Sequence, residues 1–284
     1  MPLNGLKDAF SSHPRRWRDF RYVYPVISRR SGGLSIGINL NPDATCNFDC
    51  IYCCADRSHP RTGRRVDLDV LQAELWHLIE TRDKLFDEPE FRGIPAPFRK
   101  LHDIAFSGDG EATAVPAFPP AVDLAIRARR DHDLTDVKTI IITDACYLTR
   151  PAVARALERL DQNNGEIWAK LDAGTEDYFQ HVNRPNCTLQ HVLDNILAAG
   201  KIRPLVVQSL FIRIQGEPPS NDEIAAYCDR LRWLRENGAA ISGVQVYTVA
   251  RRTVEPYVAP LSADELETIA AAVRDAGFPS AIFP

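Results

Sequence analysis

Apolar, β-branched runs alternate with helix-forming stretches along most of this 284-residue chain. The apolar runs predict six strands, at residues 34–40, 101–107, 137–143, 166–171, 205–214 and 243–249. Apolar residues at helical spacing predict helices over about 68–86, 117–132, 150–161, 188–200, 220–237 and 262–276. Strands joined by helical crossovers build a parallel sheet, so the pattern predicts an α/β fold with its reactive groups at the carboxyl ends of the strands.

Several predicted helices carry their own boundary signals. Two pairs fit the capping box, in which a hydroxyl and a carboxylate satisfy the first amides of a helix: Ser220 with Glu223, and Ser262 with Glu265. Gly238 and Gly277 stand where helix C-caps are expected. No convincing linker interrupts the chain, so we predict a basic N-terminal extension over residues 1–30 and one catalytic domain over residues 31–284.

Composition narrows the class of protein. A hydrophobic content of 45% is ample for a core, and a net charge of −4 gives no overall footprint for nucleic acid or membrane. The seven cysteines are odd in number and lack paired spacing, which argues against a disulfide framework and for a reducing compartment. No secretory or membrane-spanning apolar run is present, so a cytoplasmic protein without a membrane partner is expected.

A CxxxCxxC run formed by Cys46, Cys50 and Cys53 directly follows the first predicted strand. Three thiolates at this spacing can hold three irons of a 4Fe-4S cluster and leave the fourth iron without a protein ligand. The alternative is a structural zinc site, which usually takes four ligands in two separated pairs. The other four cysteines are Cys54, Cys146, Cys187 and Cys228. They form no second CxxC, and this favours the cluster over a zinc site.

With this motif the chain resembles the radical S-adenosylmethionine (SAM) enzymes. In that family the amino and carboxylate groups of SAM chelate the open iron. An electron from the cluster then cleaves the sulfonium to methionine and a 5′-deoxyadenosyl radical. The resemblance implies a partial (β/α)6 barrel, a 4Fe-4S cluster, SAM as the second cofactor, and an external electron donor of the flavodoxin or ferredoxin type.

The turn after the second predicted strand adds to the resemblance. It contains Gly108, Asp109, Gly110 and Glu111. Two glycines let the backbone approach another group closely, and a carboxylate accepts hydrogen bonds from an ammonium group. In radical SAM enzymes a Gly-Gly-Glu-like turn at this place holds the methionine amino group of SAM, so these four residues are expected to bind that end of the cofactor.

The resemblance also implies SAM contacts from polar and aromatic residues at other strand ends and in the cysteine loop: Tyr52, Thr143, Asp144, Lys170, Asp172, Arg184 and Tyr247. Lys170 and Asp172 share one face of their strand and are the two candidates for a catalytic role. A purely structural ion pair is the alternative for them. Ordinary packing is the alternative for the two tyrosines.

Four further segments are similar to the radical SAM group that includes the wyosine-type tRNA-modifying enzymes: residues 26–30, 35–40, 171–175 with 183–185, and 254–257. Those enzymes join pyruvate carbons to a methylated guanine and use a second cluster, whose cysteines precede the radical SAM motif. This chain has no cysteine before Cys46. A second site built from Cys54, Cys146 and Cys187 and a set of plain cysteines both remain open. Lys170 is the candidate for a Schiff base with a carbonyl substrate, and contact with a carboxylate is its alternative.

The substrate class stays open at the level of sequence. Arginines crowd the N-terminal segment and the region after the cysteines: Arg15, Arg16, Arg18, Arg21, Arg29, Arg30, Arg61, Arg64 and Arg65. Such a cluster can meet RNA phosphates, whereas a solvated arm with surface ion pairs is the plainer interpretation. The candidate activities are radical chemistry on a nucleic-acid base and the same chemistry on a small molecule or peptide. A zinc-binding interaction module is the non-enzyme alternative.

Overall fold

A computed structural model of the chain describes residues 6–11, 15, 17–56 and 65–284. Three arginines of the basic clusters therefore lie outside the described residues: Arg16, Arg61 and Arg64. The chain packs as two compact units. Of the described residues, the first unit takes those within 6–45, 65–141 and 152–166, and the second takes 46–56, 142–151 and 167–284.

Within the described ranges the α-helices are α1 (Leu6–Ser11), α2 (Leu68–Thr81), α3 (Phe118–Asp131), α4 (Pro151–Asp161), α5 (Glu176–Asn183), α6 (Leu189–Gly200), α7 (Asn221–Glu236) and α8 (Ala263–Asp275). None of these helices joins enough length to enough apolar character to cross a bilayer. The strands are β1 (Val23–Ser28), β2 (Gly33–Ile38), β3 (Leu101–Phe106), β4 (Lys138–Thr143), β5 (Gly165–Lys170), β6 (Leu205–Leu210), β7 (Ile212–Ile214), β8 (Ile241–Tyr247), β9 (Val258–Pro260) and β10 (Ser280–Phe283).

The first unit is built on an edge strand followed by parallel strands. β1 runs antiparallel to β2, with Val23 opposite Ile38. β2 pairs in parallel with β3, and β3 pairs in parallel with β4 as far as Ile141. All six residues of β2 are buried, as expected for a strand that is covered on both faces. The sequence does not predict β1, because Pro25 interrupts its apolar run and cannot donate a ladder hydrogen bond.

The second unit contains a parallel ladder in which β5 pairs with β6, β6 with β8, and β8 with β10. The single strand predicted at 205–214 is instead two strands, because β6 ends at Leu210 and β7 pairs antiparallel with β9. The amide of Phe211 still donates to the carbonyl of Tyr247, at 2.9 Å, and so marks the point where the chain leaves the ladder.

Most predicted helices form within one or two residues of their expected ends. The predicted helix at 68–86 is shorter, because α2 ends at Thr81 and a 3-10 helix continues from Arg82 to Asp87. Gly238 and Gly277 follow α7 and α8 with φ of 98° and 92°, a backbone conformation that favours glycine. The sequence pattern does not predict the short helix α5. The hydroxyl of Thr175 caps this helix by accepting a hydrogen bond from the amide of Tyr178 at 3.3 Å.

One of the two predicted capping boxes is complete and the other is not. Ser262 and Glu265 form both reciprocal bonds at the start of α8. At the start of α7 the Ser220 hydroxyl accepts from the amide of Glu223, but the Glu223 carboxylate does not return to Ser220. It accepts instead from the amide of Gly174, at 2.5 Å.

Glu223 therefore holds the loop that follows β5. Its second oxygen accepts from the hydroxyl of Thr175 at 2.6 Å, and its side chain is buried. The loop and α7 are in close contact, since a Cβ at Gly174 would lie 2.1 Å from the amide nitrogen of Tyr227. This contact fixes both the carboxyl end of β5 and the first turn of α5.

We expect Glu223→Ala to lower the free energy of unfolding by roughly 2–4 kcal/mol, because the buried amide of Gly174 and the half-buried hydroxyl of Thr175 lose their acceptor. Thermal and urea unfolding measure the loss. Asp222→Ala is the matched control, since Asp222 is exposed in the same helical turn and its removal costs about 0.3–1 kcal/mol. Equal losses in the two variants would contradict this role for Glu223.

Candidate functional site

The loop that carries the cysteine triplet is bound to the end of α5. The amide of Ile51 donates to the carbonyl of Val182 at 2.9 Å, and the amide of Asp49 lies 3.2 Å from the carbonyl oxygens of both Asn183 and Arg184. The ring of Phe48 packs edge-on against the ring of Phe179, with 5.7 Å between centroids. Backbone bonds thus fix the loop, so the cysteine spacing is presented on a rigid support.

The three thiols of the triplet are half-buried and have polar neighbours of their own. The side-chain amide of Asn183 donates to Sγ of Cys50 at 3.6 Å, and the amide of Ala55 donates to Sγ of Cys53 at 3.4 Å. Burial raises the pKa of Cys50 to about 12, against the lowering effect of the nearby Tyr52 hydroxyl. A thiolate at Cys50 therefore needs a positive partner such as a metal centre.

The donor set fits the metal group that the sequence predicts. Three cysteine thiols, two of them with N–H donors toward their sulfurs, are a usual environment of an iron–sulfur cluster. In the part of the chain that the structure describes, no three His, Cys, Asp or Glu side chains are arranged around a single metal ion. Each cysteine of a cubane binds a different iron, so the triplet needs no such common point.

Asp172 connects the cysteine loop to the strands behind it. Its carboxylate, 2% exposed, accepts from the hydroxyl of Tyr52, from Nδ2 of Asn183 at 3.0 Å and from the amide of Leu210 at 2.9 Å. Burial, and next the charge of Asp172, raise the pKa of Tyr52 well above its ordinary value, so Tyr52 is a neutral donor here. Tyr52 is thus part of a polar network rather than of simple packing.

Lys170 completes this network from the end of β5. Its Nζ lies 3.2 Å from Oδ2 of Asp172 and donates to the hydroxyl of Tyr247 at 2.7 Å. Burial works to lower the pKa of Lys170, but the carboxylate of Asp172 and then Tyr247 outweigh it and raise that pKa above its usual range. Lys170 is therefore an ammonium ion at neutral pH, and the predicted contact between Lys170 and a carboxylate is present.

The Gly-Asp-Gly-Glu turn lies in the first unit and is tightly packed. A Cβ at Gly108 would lie 2.3 Å from Oδ1 of Asn39, and a Cβ at Gly110 would lie 2.0 Å from the carbonyl oxygen of Thr45. The glycines thus let the turn approach protein atoms, including the residue that immediately precedes Cys46. Asp109 is clamped by Nη1 of Arg15 at 2.9 Å and by Nδ2 of Asn39 at 2.6 Å.

The carboxylate of Glu111 is buried at the end of this turn. It accepts from the amide of Thr113 at 2.9 Å and from the hydroxyl of the same residue, and so caps the 3-10 helix Ala112–Ala114. A capping role and the predicted contact with an ammonium group use the same chemistry, since a carboxylate accepts several hydrogen bonds.

The remaining predicted SAM contacts shape local structure. After β4, the Thr143 hydroxyl accepts from the amide of Ala145 at 3.0 Å, and the Asp144 carboxylate accepts from the amide of Cys146 at 2.9 Å. Arg184 ends α5 with φ of 42°, and its guanidinium binds Glu255 at 2.7 Å. Arg184 therefore pairs with Glu255, and its guanidinium is not part of the Lys170–Asp172 ion pair.

Asn183 is a site residue that the sequence reasoning missed. It is 2% exposed, and its Nδ2 lies within hydrogen-bond reach of Cys50, Tyr52 and Asp172. Its buried Oδ1 has no hydrogen-bond partner among the described residues, which suits an acceptor for a bound cofactor. The sequence signal for Asn183 is the Asn-Arg-Pro run at residues 183–185, of which the family resemblance points only to Arg184.

No known protein-family profile matches this sequence. Curated relatives include UPF0026 proteins. That of Methanocaldococcus jannaschii is 29% identical over 178 residues, which cover 61% of this chain and 46% of the relative. One from Helicobacter pylori is 27% identical over 248 residues, which cover 85% of this chain and 70% of the relative. With the first of these proteins, the match spans about half of the relative's length.

Solved structures decide the fold. A radical SAM methyltransferase from Sphaerobacter thermophilus superposes with a TM-score of 0.62 at 13% identity, over 92% of this chain and 68% of that one. The chain has the radical SAM fold. Streptococcus suis SuiB bound to S-adenosylmethionine gives a TM-score of 0.54 at 12% identity, over 90% of this chain and 49% of that one. TYW1 with a lysine-pyruvate adduct bound gives a TM-score of 0.50 at 16% identity, over 85% of this chain and 73% of that one.

These superpositions confirm the predicted fold class, an α/β partial barrel of the radical SAM type. They also confirm the resemblance on which the sequence reasoning rested, at the level of the fold. The site residues themselves stay predictions, which rest on the rule that the reactive groups of such barrels gather where the parallel strands end.

We expect Gly110→Ala to destabilise the protein by about 1–3 kcal/mol, because the added methyl group would overlap the backbone carbonyl of Thr45, which has no side-chain freedom to move away. The melting temperature reports the loss, and iron content after anaerobic reconstitution reports any shift of the adjoining cysteine loop. Gly243→Ala is the control, since its nearest contact would be 3.7 Å. If Gly110→Ala kept the melting temperature and iron content of the unaltered protein, as Gly243→Ala is expected to, the close packing at Gly110 would be refuted.

Proposed function

We propose that this protein is a radical SAM enzyme that holds a 4Fe-4S cluster through Cys46, Cys50 and Cys53 and cleaves SAM reductively. The observation that carries the proposal is the CxxxCxxC loop, bound by backbone hydrogen bonds to the end of α5 within a radical SAM fold. When bound, the cluster supplies the single electron for cleavage of SAM, and an external reductant of the flavodoxin or ferredoxin type replaces that electron.

The chain's own residues divide the work of binding. The three cysteines hold three irons, and the Asn183 amide orients Cys50 through its N–H donor. The turn from Gly108 to Glu111 offers its buried carboxylate to the amino group of methionine. Thr143, Asp144 and Arg184 remain predicted contacts of SAM.

The network around Asp172 serves orientation and charge. Lys170 is the cation for a carboxylate of SAM or of the substrate, while Asp172 holds its ammonium group in place. Tyr52 and Tyr247 flank that ammonium group, with ring centroids 5.1 and 5.3 Å from Nζ. The ring of Tyr52 can stabilise the cation by a cation–π contact, whereas Tyr247 binds it through its hydroxyl oxygen.

The substrate class is supported less strongly than the cleavage of SAM. The likeness to TYW1 favours a substrate related to that of the tRNA-modifying enzymes. Two arginines of the basic N-terminal segment, however, have their charge neutralised within the chain, because Arg15 binds Asp109 and Arg18 binds Glu88. A nucleic-acid base and a small molecule or peptide therefore both remain candidate substrates.

We expect the anaerobically reconstituted protein to contain about four irons per chain, and to produce 5′-deoxyadenosine from SAM when dithionite is added. Cys50→Ala should lose both cluster and product, whereas Cys228→Ser should retain them because Cys228 is buried in α7, away from the cysteine loop. Iron and sulfide analysis and chromatography of the nucleoside products measure the two outcomes.

Fully iron-loaded protein without product above the Cys50→Ala background would overturn the proposal. Colourless protein that contains zinc would favour the interaction module. The same assay separates the substrate classes, since a rise in SAM cleavage on addition of tRNA indicates base modification, and indifference to tRNA indicates a small molecule or peptide.

We expect Lys170 to form no Schiff base with pyruvate at pH 7, because its raised pKa leaves an ammonium ion without a nucleophilic lone pair. Incubation with pyruvate and borohydride, followed by peptide mass spectrometry, should find Lys170 unmodified. Asp172→Asn removes the nearest charge that holds the proton and should make Lys170 more reactive. Stoichiometric modification of Lys170 in the unaltered protein at pH 7 would show that it acts as a nucleophile.

A further inference from the structure

Two cysteines outside the triplet meet in the second unit. Sγ of Cys146 lies 3.1 Å from Sγ of Cys187, although the residues are 41 positions apart in the chain. Cys146 follows the carboxyl end of β4, and Cys187 immediately precedes Thr188, the N-cap of α6. A disulfide has a sulfur–sulfur length of about 2.05 Å, so roughly 1 Å of approach separates these thiols from a covalent bond.

The backbone on each side of the pair is fixed by side chains of neighbouring helices. The carbonyl of Cys146 lies 3.0 Å from Nε2 of His191 and accepts from Nδ2 of Asn195 at 3.3 Å. The carbonyl of Cys187 accepts from Nε2 of Gln180 at 3.2 Å. Because both backbones are held, the meeting of the sulfurs does not depend on a chance rotation of a flexible loop, and their effective concentration toward each other is high.

The two thiols differ in access. Cys146 is 4% exposed, whereas Cys187 is half-buried and reachable from solvent. Burial, and then the charges of Asp144 and Glu176, raise the pKa of Cys187, while its contact with Cys146 opposes the rise. At neutral pH Cys187 is therefore mostly in the thiol form, and it is the sulfur that a disulfide reagent in solution meets first.

We infer that Cys146 and Cys187 form a thiol–disulfide exchange site for low-molecular-weight disulfides of the glutathione type. The Cys187 thiolate attacks one sulfur of the disulfide, forms a mixed disulfide and releases one molecule of thiol. Cys146 then attacks the Cys187 sulfur, forms the internal disulfide and releases the second molecule of thiol. The two protein thiols lose two electrons and two protons, and the reagent gains them as two thiols.

The internal disulfide would tie together two loops that carry predicted cofactor contacts. One is the loop after β4, which begins with Thr143 and Asp144. The other joins α5 to α6 and starts at Arg184, next to the backbone carbonyls that hold the cysteine loop. The exchange site goes beyond the proposed function, because it needs neither the cluster nor SAM, and its test reads out bonds between named cysteines rather than turnover.

The test exposes the anaerobically reconstituted holoprotein to oxidised glutathione, then quenches with acid, alkylates the remaining thiols and maps peptides by mass spectrometry. We expect a crosslinked Cys146–Cys187 peptide, with two molecules of reduced glutathione released per chain. In Cys146→Ser, glutathione retained on Cys187 should rise at least about tenfold, because no second thiol resolves the mixed disulfide. Dithiothreitol should reverse both products.

Two further variants complete the design. Cys187→Ser should leave Cys146 without glutathione, since Cys146 is buried and its partner is gone. Cys228→Ser is the matched control and should behave as the unaltered protein, because this buried cysteine lies in α7. The crosslinked peptide is measured in the unaltered protein, so a variant that folds poorly does not decide the outcome. Absence of that peptide, or equal glutathione retention on Cys187 with and without Cys146, would overturn the inference.

Discussion

The candidate site depends on one buried carboxylate. Asp172 is almost wholly removed from water, so its charge is tolerated only because donors surround it. Those donors come from four parts of the second unit: Tyr52 from the cysteine loop, Lys170 from β5, Asn183 from α5 and the amide of Leu210 from β6. Loss of any donor would leave the carboxylate under-satisfied, so the geometry of the cysteine loop and the charge of Lys170 are set together.

A second constraint acts in the first unit, where backbone packs on backbone. Gly110 leaves no space for a side chain against the carbonyl of Thr45, the residue before the first cysteine of the triplet. Asp109 is held by Arg15 and Asn39, which keeps the turn in place from the other side. Arg15 therefore has a structural role, since it neutralises a carboxylate of this turn.

Local signals in the sequence carry the parts of this structure that local chemistry decides. The glycines after α7 and α8 take the left-handed conformation that their positions predict, and the cysteine spacing marks the loop that carries the proposed metal ligands. What the sequence could not predict are choices between distant partners. Glu223 satisfies the capping pattern in sequence but binds the loop after β5. The amide of Gly174 in that loop is buried, so leaving it without an acceptor would cost more free energy than leaving the exposed helix start uncapped. Asn183 likewise becomes informative only when the fold brings it beside Cys50.

The cysteines outside the triplet bear on the question of a second cluster. A second cluster of the kind used by wyosine-forming enzymes needs several thiolates on different irons. Here the Cys54 thiol lies 3.7 Å from the carbonyl of Tyr52 in its own loop, while Cys146 and Cys187 contact each other. A second site built from these three cysteines stays a prediction, while the 3.1 Å between the Cys146 and Cys187 sulfurs suits the inferred thiol–disulfide exchange. The two proposals thus use different cysteines, because the triplet would hold the proposed cluster and the Cys146–Cys187 pair would carry the inferred thiol–disulfide exchange.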